Sequence, residues 1–229
     1  LRATFDWIAH GAVGEATPAL VEGFVKAQEA RDAGAWARLV RDYRLTWEML
    51  PDAALAESQV WDALLDVGVP MTALMRQLPR LTRLRLLPAL GGRTKEVCSQ
   101  LTDADRLRAA RVHPVSVLVA QRTYASGASH RGTAQWKPTT RVADALDAAF
   151  YAAFGAVEPS GRRTMLAVDV SGSMTMPISG MGLTAREASA ALALVQLAPE
   201  PDAAAYGFSA GEGWYRPALA PLDISPRRR

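Results

Sequence analysis

The sequence predicts two architectures in succession: an α-helical region built of antiparallel helix pairs, then the opening of an α/β layer fold. Three observations predict this. Apolar residues recur at helical spacing to about residue 157, no strand-like alternation competes there, and after Glu158-Pro159-Ser160-Gly161 the pattern becomes strand, helix, strand. No strict repeat is visible, so degenerate helical repeats and an irregular bundle both fit the first part.

Thr17 and Pro18 predict an N-cap and a first-turn proline for a helix carrying Leu20, Val21, Phe24 and Val25. Helical patterns follow at 35–50, 54–65, 71–78, 94–101, 103–112, 114–126 and 138–154, separated by breaks at Pro51, Gly68, Gly91-Gly92 and Gly127. Trp7, Trp36, Trp47 and Trp61 read as core residues of amphipathic helices. Asp144 and Asp147 share a helix face among Ala, Leu, Phe and Tyr, which predicts bonds to neighbouring helices rather than an acid/base pair. Past the link at 157–162, the apolar run 165–170 suits a parallel strand buried on both faces. An alanine-rich helix over 184–197 has Thr184 and Glu187 spaced as a capping box. Segments 203–208 and 214–219 read as further strands.

The formal charge of +3 is an average over unlike segments. Residues 1–66 hold 6 basic and 11 acidic side chains, 67–143 hold 13 and 3, and 144–229 hold 7 and 9, giving −5, +10 and −2. A basic middle third points to a polyanion such as nucleic acid. The single Cys98 cannot form an internal disulfide, and its surroundings offer no activating partner for a nucleophile. No signal peptide opens the chain, and the apolar stretches 112–120 and 188–198 fall short of the ~20 residues that span a bilayer. A cytoplasmic protein with no membrane partner is expected. The chain opens on Leu1 rather than Met and closes on Arg227, Arg228 and Arg229 without an evident final element, which predicts a fragment truncated at both ends.

The sharpest chemical motif is Asp169-Val-Ser-Gly-Ser173, at the end of the first strand. A strand that stops in a loop leaves the oxygens of Asp169, Ser171 and Ser173 free at the carboxyl edge of the sheet, where open α/β sheets bind ligands. One carboxylate and two hydroxyls suit a hard cation such as Mg²⁺; the alternative is a polar turn. No Gly-x-x-x-x-Gly-Lys phosphate loop occurs, nor a Ser/His/Asp arrangement in suitable context, so no catalytic residue is assigned.

Leu166-Ala-Val-Asp-Val-Ser-Gly-Ser-Met174 resembles the first strand and metal-ion-dependent adhesion motif of a von Willebrand factor A domain. The segments before it narrow the resemblance. Val60-Trp-Asp-Ala-Leu-Leu65, Pro70-Met-Thr-Ala-Leu-Met-Arg-Gln-Leu78, His113-Pro-Val-Ser-Val-Leu-Val119, Arg131-Gly132, Trp136-Lys-Pro138 and Ala143-Asp-Ala-Leu-Asp-Ala-Ala-Phe-Tyr151 resemble the Ro autoantigen family in its bacterial type, with Val157-Glu-Pro159 as the join. The resemblance implies an α-helical repeat domain of HEAT-like, TROVE type, its C-terminal part lying at 1–157. It implies next the N-terminal part of an α/β, Rossmann-like von Willebrand factor A-like domain at 162–229. It further implies a non-enzymatic scaffold, monomeric within a ribonucleoprotein, whose helical ring binds Y-like noncoding RNA outside and single-stranded ends of misfolded RNA in its hole. An exoribonuclease such as polynucleotide phosphorylase is the implied protein partner. The family's Mg²⁺ site draws a Thr and an Asp from later loops, so Asp169, Ser171 and Ser173 would form an incomplete set.

The RNA candidates lie in the basic third. Arg76, Arg80, Arg83, Arg85, Arg93 and Lys95 occupy a stretch without an acid, and Leu78-Pro-Arg-Leu-Thr-Arg-Leu-Arg85 is expected to join two helices and direct cations into a cavity. Arg131, Trp136 and Lys137 share a later loop where a guanidinium, an aromatic face and an ammonium could stack and pair with unpaired nucleotides. Trp136 also fits a core or hinge position, and His113 fits a helix cap, a buried bonding residue or an RNA contact. Solvated helix faces are the alternative for each cation.

Overall fold

The computed structural model describes residues 2–11, 13–129, 132–210 and 217–222. Contacts divide the chain into two compact units, Leu1–Pro88 and Ala89–Arg229, so the change of character at 157–162 falls inside the second unit.

The first unit is helical: α1 (Arg2–His10), α2 (Ala19–Glu29), α3 (Ala33–Tyr43), α4 (Ser58–Val67) and α5 (Met71–Arg83), with 3₁₀ turns at Trp47–Met49 and Ala54–Ala56. Helix α3 starts where the Asp32 carboxylate accepts from the Ala35 amide at 2.8 Å, and packs on α2 and α4. Gly23 permits the first contact, because a Cβ there would lie 2.5 Å from the Tyr43 side chain. The core holds Ala27, Trp36, Val40, Val60, Trp61, Leu74, Leu78 and Leu81, all nearly or fully buried. Both core indoles are satisfied: Trp36 Nε1 donates to Ala27 O and Trp61 Nε1 to Leu55 O, each at 2.9 Å.

Several expectations are corrected here. Thr17 does not cap α2; its hydroxyl accepts from Gly14 N, and Pro18 holds the cap position. The pattern at 35–50 is two elements, because Arg44 turns left-handed at φ 52° and lets Leu45 bury. The pattern at 54–65 likewise breaks at Glu57, whose extended backbone separates a 3₁₀ turn from α4. Trp7 and Trp47 are half-buried rather than core, and Trp47 sits in a 3₁₀ turn. Helix α5 does not stop at Leu78. It runs through Pro79 to Arg83, since the buried stripe Leu74, Leu78, Leu81 continues past the proline and outweighs its missing N–H.

The second unit comprises α6 (Gly92–Leu101), α7 (Ala104–Ala109), α8 (Pro114–Ser126), α9 (Thr140–Ala152), a 3₁₀ turn at Ala153–Ala156, β1 (Thr164–Asp169), a 3₁₀ turn at Gly172–Thr175, α10 (Ala185–Leu197), β2 (Ala203–Ala210) and β3 (Pro217–Pro221). The sheet order is β1-β2-β3, with β1 parallel to β2 and β2 antiparallel to β3. Of the expected strand at 214–219, residues 214–216 lie outside the described residues, as do Arg227, Arg228 and Arg229. Strand β1 is not buried on both faces. Helix α10 packs on β1 and β2, whereas Met165 is 64% exposed and Ala167 is exposed, so β1 alternates like a one-sided strand. Asp144 and Asp147 are exposed on α9, and neither carboxylate makes a hydrogen bond among the described residues, so the expected bonds to neighbouring helices do not form there.

Two carboxylates fasten the α/β part. Thr184 Oγ1 accepts from Glu187 N at 3.2 Å while the Glu187 carboxylate accepts from Thr184 N at 2.9 Å, completing the expected capping box. Glu200, nearly buried, accepts from the amides of Ser160 and Gly161 and ties the link to the segment before β2. These hydrogen bonds hold both carboxyls below their ordinary value of 4.5. A depressed folded value means the stabilisation is present above 4.5 and is lost as pH falls below it. The melting temperature is therefore expected to fall on acidification below that point, and a Glu187→Gln, Glu200→Gln double variant, less stable at neutral pH, is expected to lose less; thermal melts from pH 7 to 3 measure both.

Candidate nucleic-acid interface

Helix α5 carries Arg76, Arg80 and Arg83 at spacings of four and three, which aligns them on one face. The expected inter-helix stretch 78–85 is thus mostly helix, and only Arg85 follows it. Arg76 is exposed beside Trp47 and Pro70, along a shallow groove. Arg80 is half-buried with its guanidinium carbon 5.7 Å from the Trp61 ring centroid. Arg80 and exposed Arg83 line a cleft of about 380 Å³ with Asp52, Leu55, Ala56 and Leu84. None of Arg76, Arg80, Arg83 and Arg85 is ion-paired among the described residues.

Arg85 has φ 60°, and Arg44 and Arg111 share this left-handed conformation at φ 52° and 50°. At each, the amide of the following apolar residue donates to the carbonyl five positions back: Leu45 to Val40 at 3.2 Å, Leu86 to Leu81 at 3.0 Å and Val112 to Leu107 at 3.0 Å. This is a helix-ending motif that normally takes glycine. The recurring order of helix end, arginine and apolar residue was readable in the sequence as Tyr43-Arg44-Leu45, Leu84-Arg85-Leu86 and Ala110-Arg111-Val112. Arginine is not a turn signal, so the order alone does not mark these helix ends.

In the second unit, Arg93 is half-buried and paired with Glu96 at 2.8 Å, and Lys95 is exposed. His113 is exposed and caps α8, its Nδ1 accepting from Val115 N at 3.2 Å. It lines a cleft of about 460 Å³ with Arg108, Arg111, Val157 and Glu158, a cationic wall not singled out from the sequence. Trp136 is half-buried and acts as a latch: its Nε1 donates to Tyr124 O at 2.8 Å and its amide to Gly127 O at 2.9 Å. Gly127 is required at this approach, since it has φ 69° and a Cβ would lie 2.9 Å from Trp136 O. Lys137 beside it is exposed, and Arg131 lies outside the described residues. The acid-free run is therefore divided, Arg76, Arg80, Arg83 and Arg85 in the first unit and Arg93 and Lys95 in the second.

At the end of β1, Asp169 accepts from Ser171 N at 2.8 Å, and bonds from Ser171 hold its carboxyl below the usual range. The Ser171 and Ser173 hydroxyls are 3.0 Å apart. These are hard oxygen donors in one turn, a partial set that fits Mg²⁺. Among the described residues no group of three or more His, Cys, Asp or Glu gathers in a metal-binding arrangement. Burial pushes the Cys98 thiol up, away from nucleophile character. No helix of the described residues is long and apolar enough to cross a membrane.

Residues 12–123 match the TROVE domain family and residues 163–229 the Ro60 vWA domain. A Caenorhabditis elegans protein named RNA-binding protein RO60 is 36% identical over 189 residues, covering 82% of this chain and 29% of its own length. A Deinococcus radiodurans protein of the same name is 40% identical over 216 residues, covering 92% and 39%. The crystal structure of the Deinococcus radiodurans RO (RSR) protein superposes with a TM-score of 0.85 at 36% identity, over 99% of this chain and 45% of that one. The chain spans less than half the length of these relatives. With a helical part and an α/β part each matched in order, it belongs to the Ro family and is of the bacterial type.

Proposed function

We propose that this chain is part of a non-enzymatic RNA-binding scaffold. Residues 1–157 act as the helical RNA-binding domain and 162–229 as the start of the A-type domain. The observation that carries the reading is the set Arg76, Arg80, Arg83 and Arg85: four guanidinium groups in ten residues without an ion pair among the described residues. Unpaired cations on α5 and just past its end are available to phosphates, and each contact releases counterions. The relatives named RNA-binding protein support the same class. Lys95, Lys137, Arg131 and Arg93 add phosphate contacts, and His113 and Trp136 border the bound strand. The ligands are Y-like RNA and single-stranded ends of misfolded RNA, and capture would present them to an exoribonuclease such as polynucleotide phosphorylase in the cytoplasm. No covalent step is involved.

The test is retention of a structured RNA with a single-stranded tail as salt is raised. An Arg83→Gln, Arg85→Gly pair and an Arg131→Gln, Lys137→Gln pair are each expected to weaken binding at least tenfold. Each contact removed lowers the slope of log affinity against log salt by about 1. Glycine at 85 relieves the left-handed backbone, so lost binding there does not report unfolding. Unchanged affinity and slope in both pairs would sink the RNA reading.

A second reading rests on the Ser171–Ser173 hydroxyl pair beside Asp169. These residues would hold a Mg²⁺ through which the A-type part grips an acidic residue of a protein partner. On this reading the basic helices bind no RNA, and EDTA or Asp169→Ala would abolish partner capture.

A further inference from the structure

The cleft of about 380 Å³ in the first unit falls in the size range of small-ligand pockets. Its polar groups are Arg80, Arg83 and Asp52. Arg80 Nη1 is shut off from solvent and makes no hydrogen bond among the described residues, although a guanidinium carries five donors and stays charged. Leaving such a donor unmet is costly. Trp61, wholly buried and anchored to Leu55 O, supports the guanidinium from one side. Arg83 lies one helical turn on, with no acid bonded to it among the described residues. Burial first, and the Arg83 charge second, lower the affinity of Arg80 for its own proton, and the Asp52 charge opposes this. The frustration is electrostatic: two like charges share one cleft, and its one acid, Asp52, forms an ion pair with neither among the described residues.

We propose that this cleft binds one phosphate group, with Arg80 and Arg83 as its donors and Asp52 as the resident competitor. Paired guanidinium forks match a tetrahedral oxyanion in geometry and number of donors. The stack on Trp61 limits the rotamer freedom that Arg80 gives up on binding. The phosphate is either free phosphate or one phosphodiester of a bound strand, and the second source rests on the RNA-binding reading above.

The full chain is titrated with inorganic phosphate at fixed ionic strength by calorimetry, and with a short single-stranded oligoribonucleotide by fluorescence anisotropy. One phosphate is expected per chain, weakened about tenfold or more by Arg83→Gln and tightened several-fold by Asp52→Asn. Both positions are exposed, so neither change threatens folding. Arg80→Lys, which keeps the charge and loses the fork, is expected to weaken binding too. Displacement of phosphate by the oligoribonucleotide, with a salt slope lowered by about 1 in Arg83→Gln, identifies a phosphodiester as the occupant. Simultaneous binding of both identifies free phosphate. If phosphate binds with this variant pattern and the RNA is not retained, the site stands and the RNA reading falls. Phosphate affinity unchanged in both Arg83→Gln and Asp52→Asn, or no saturable binding, overturns the proposal.

Discussion

Trp61→Ala is expected to destabilise the chain by about 3–5 kcal/mol, the range for deleting a large buried aromatic. Trp61 has no exposed surface, donates to Leu55 O and supports the Arg80 guanidinium. Its loss leaves a cavity, a carbonyl without its indole donor and a half-buried cation without its aromatic support. At roughly 2–4 °C per kcal/mol for a chain of this size, the melting temperature should drop by about 6–20 °C. Trp61→Phe, which keeps most of the volume and loses the N–H, should retain part of that stability. A thermal melt of Trp61→Ala matching the parent would show that this indole is not a core support.

Tyr124→Phe is expected to cost about 1–3 kcal/mol despite removing a single oxygen. The ring is wholly buried, and its hydroxyl accepts from the amide of Thr139, the residue that opens α9 without a side-chain cap of its own. The Tyr124 carbonyl receives Trp136 Nε1. Tyr124 thus holds both the end of the 128–138 loop and the start of the next helix. Denaturant unfolding should show a shifted midpoint with unchanged slope, since only an interaction is lost. Hydrogen exchange at the Thr139 amide should accelerate. A midpoint equal to the parent's would show that water replaces the hydroxyl.

Local signals were legible wherever a residue's chemistry acts within one turn of chain. The span 114–126 reads directly as α8, because Pro114 suits a first turn and Gly127 a left-handed end. Thr184 and Glu187 read as a capping box and form one. Arg44 carried no such signal, so the helix predicted over 35–50 runs seven residues past its observed end at Tyr43, across a 3₁₀ turn at Trp47–Met49. Pro79 gave a stop signal that burial of Leu81 overrode. For the candidate site, the residue types were visible and their company was not. Arg85 and Arg93 are near in sequence yet fall in different units, Arg93 is paired with Glu96, and His113 is engaged as a cap.

By itself, the sequence determined the order of a helical part and an α/β part, the basic middle third and the Asp169, Ser171, Ser173 turn, because periodicity, charge and turn chemistry are properties of neighbouring residues. Only the tertiary structure decided that Arg80 rests on Trp61, with Nη1 unsatisfied beside Arg83, and that β1 is covered on one face. Those facts depend on which distant side chains exclude water from one another, and desolvation is a property of packing that no local pattern encodes.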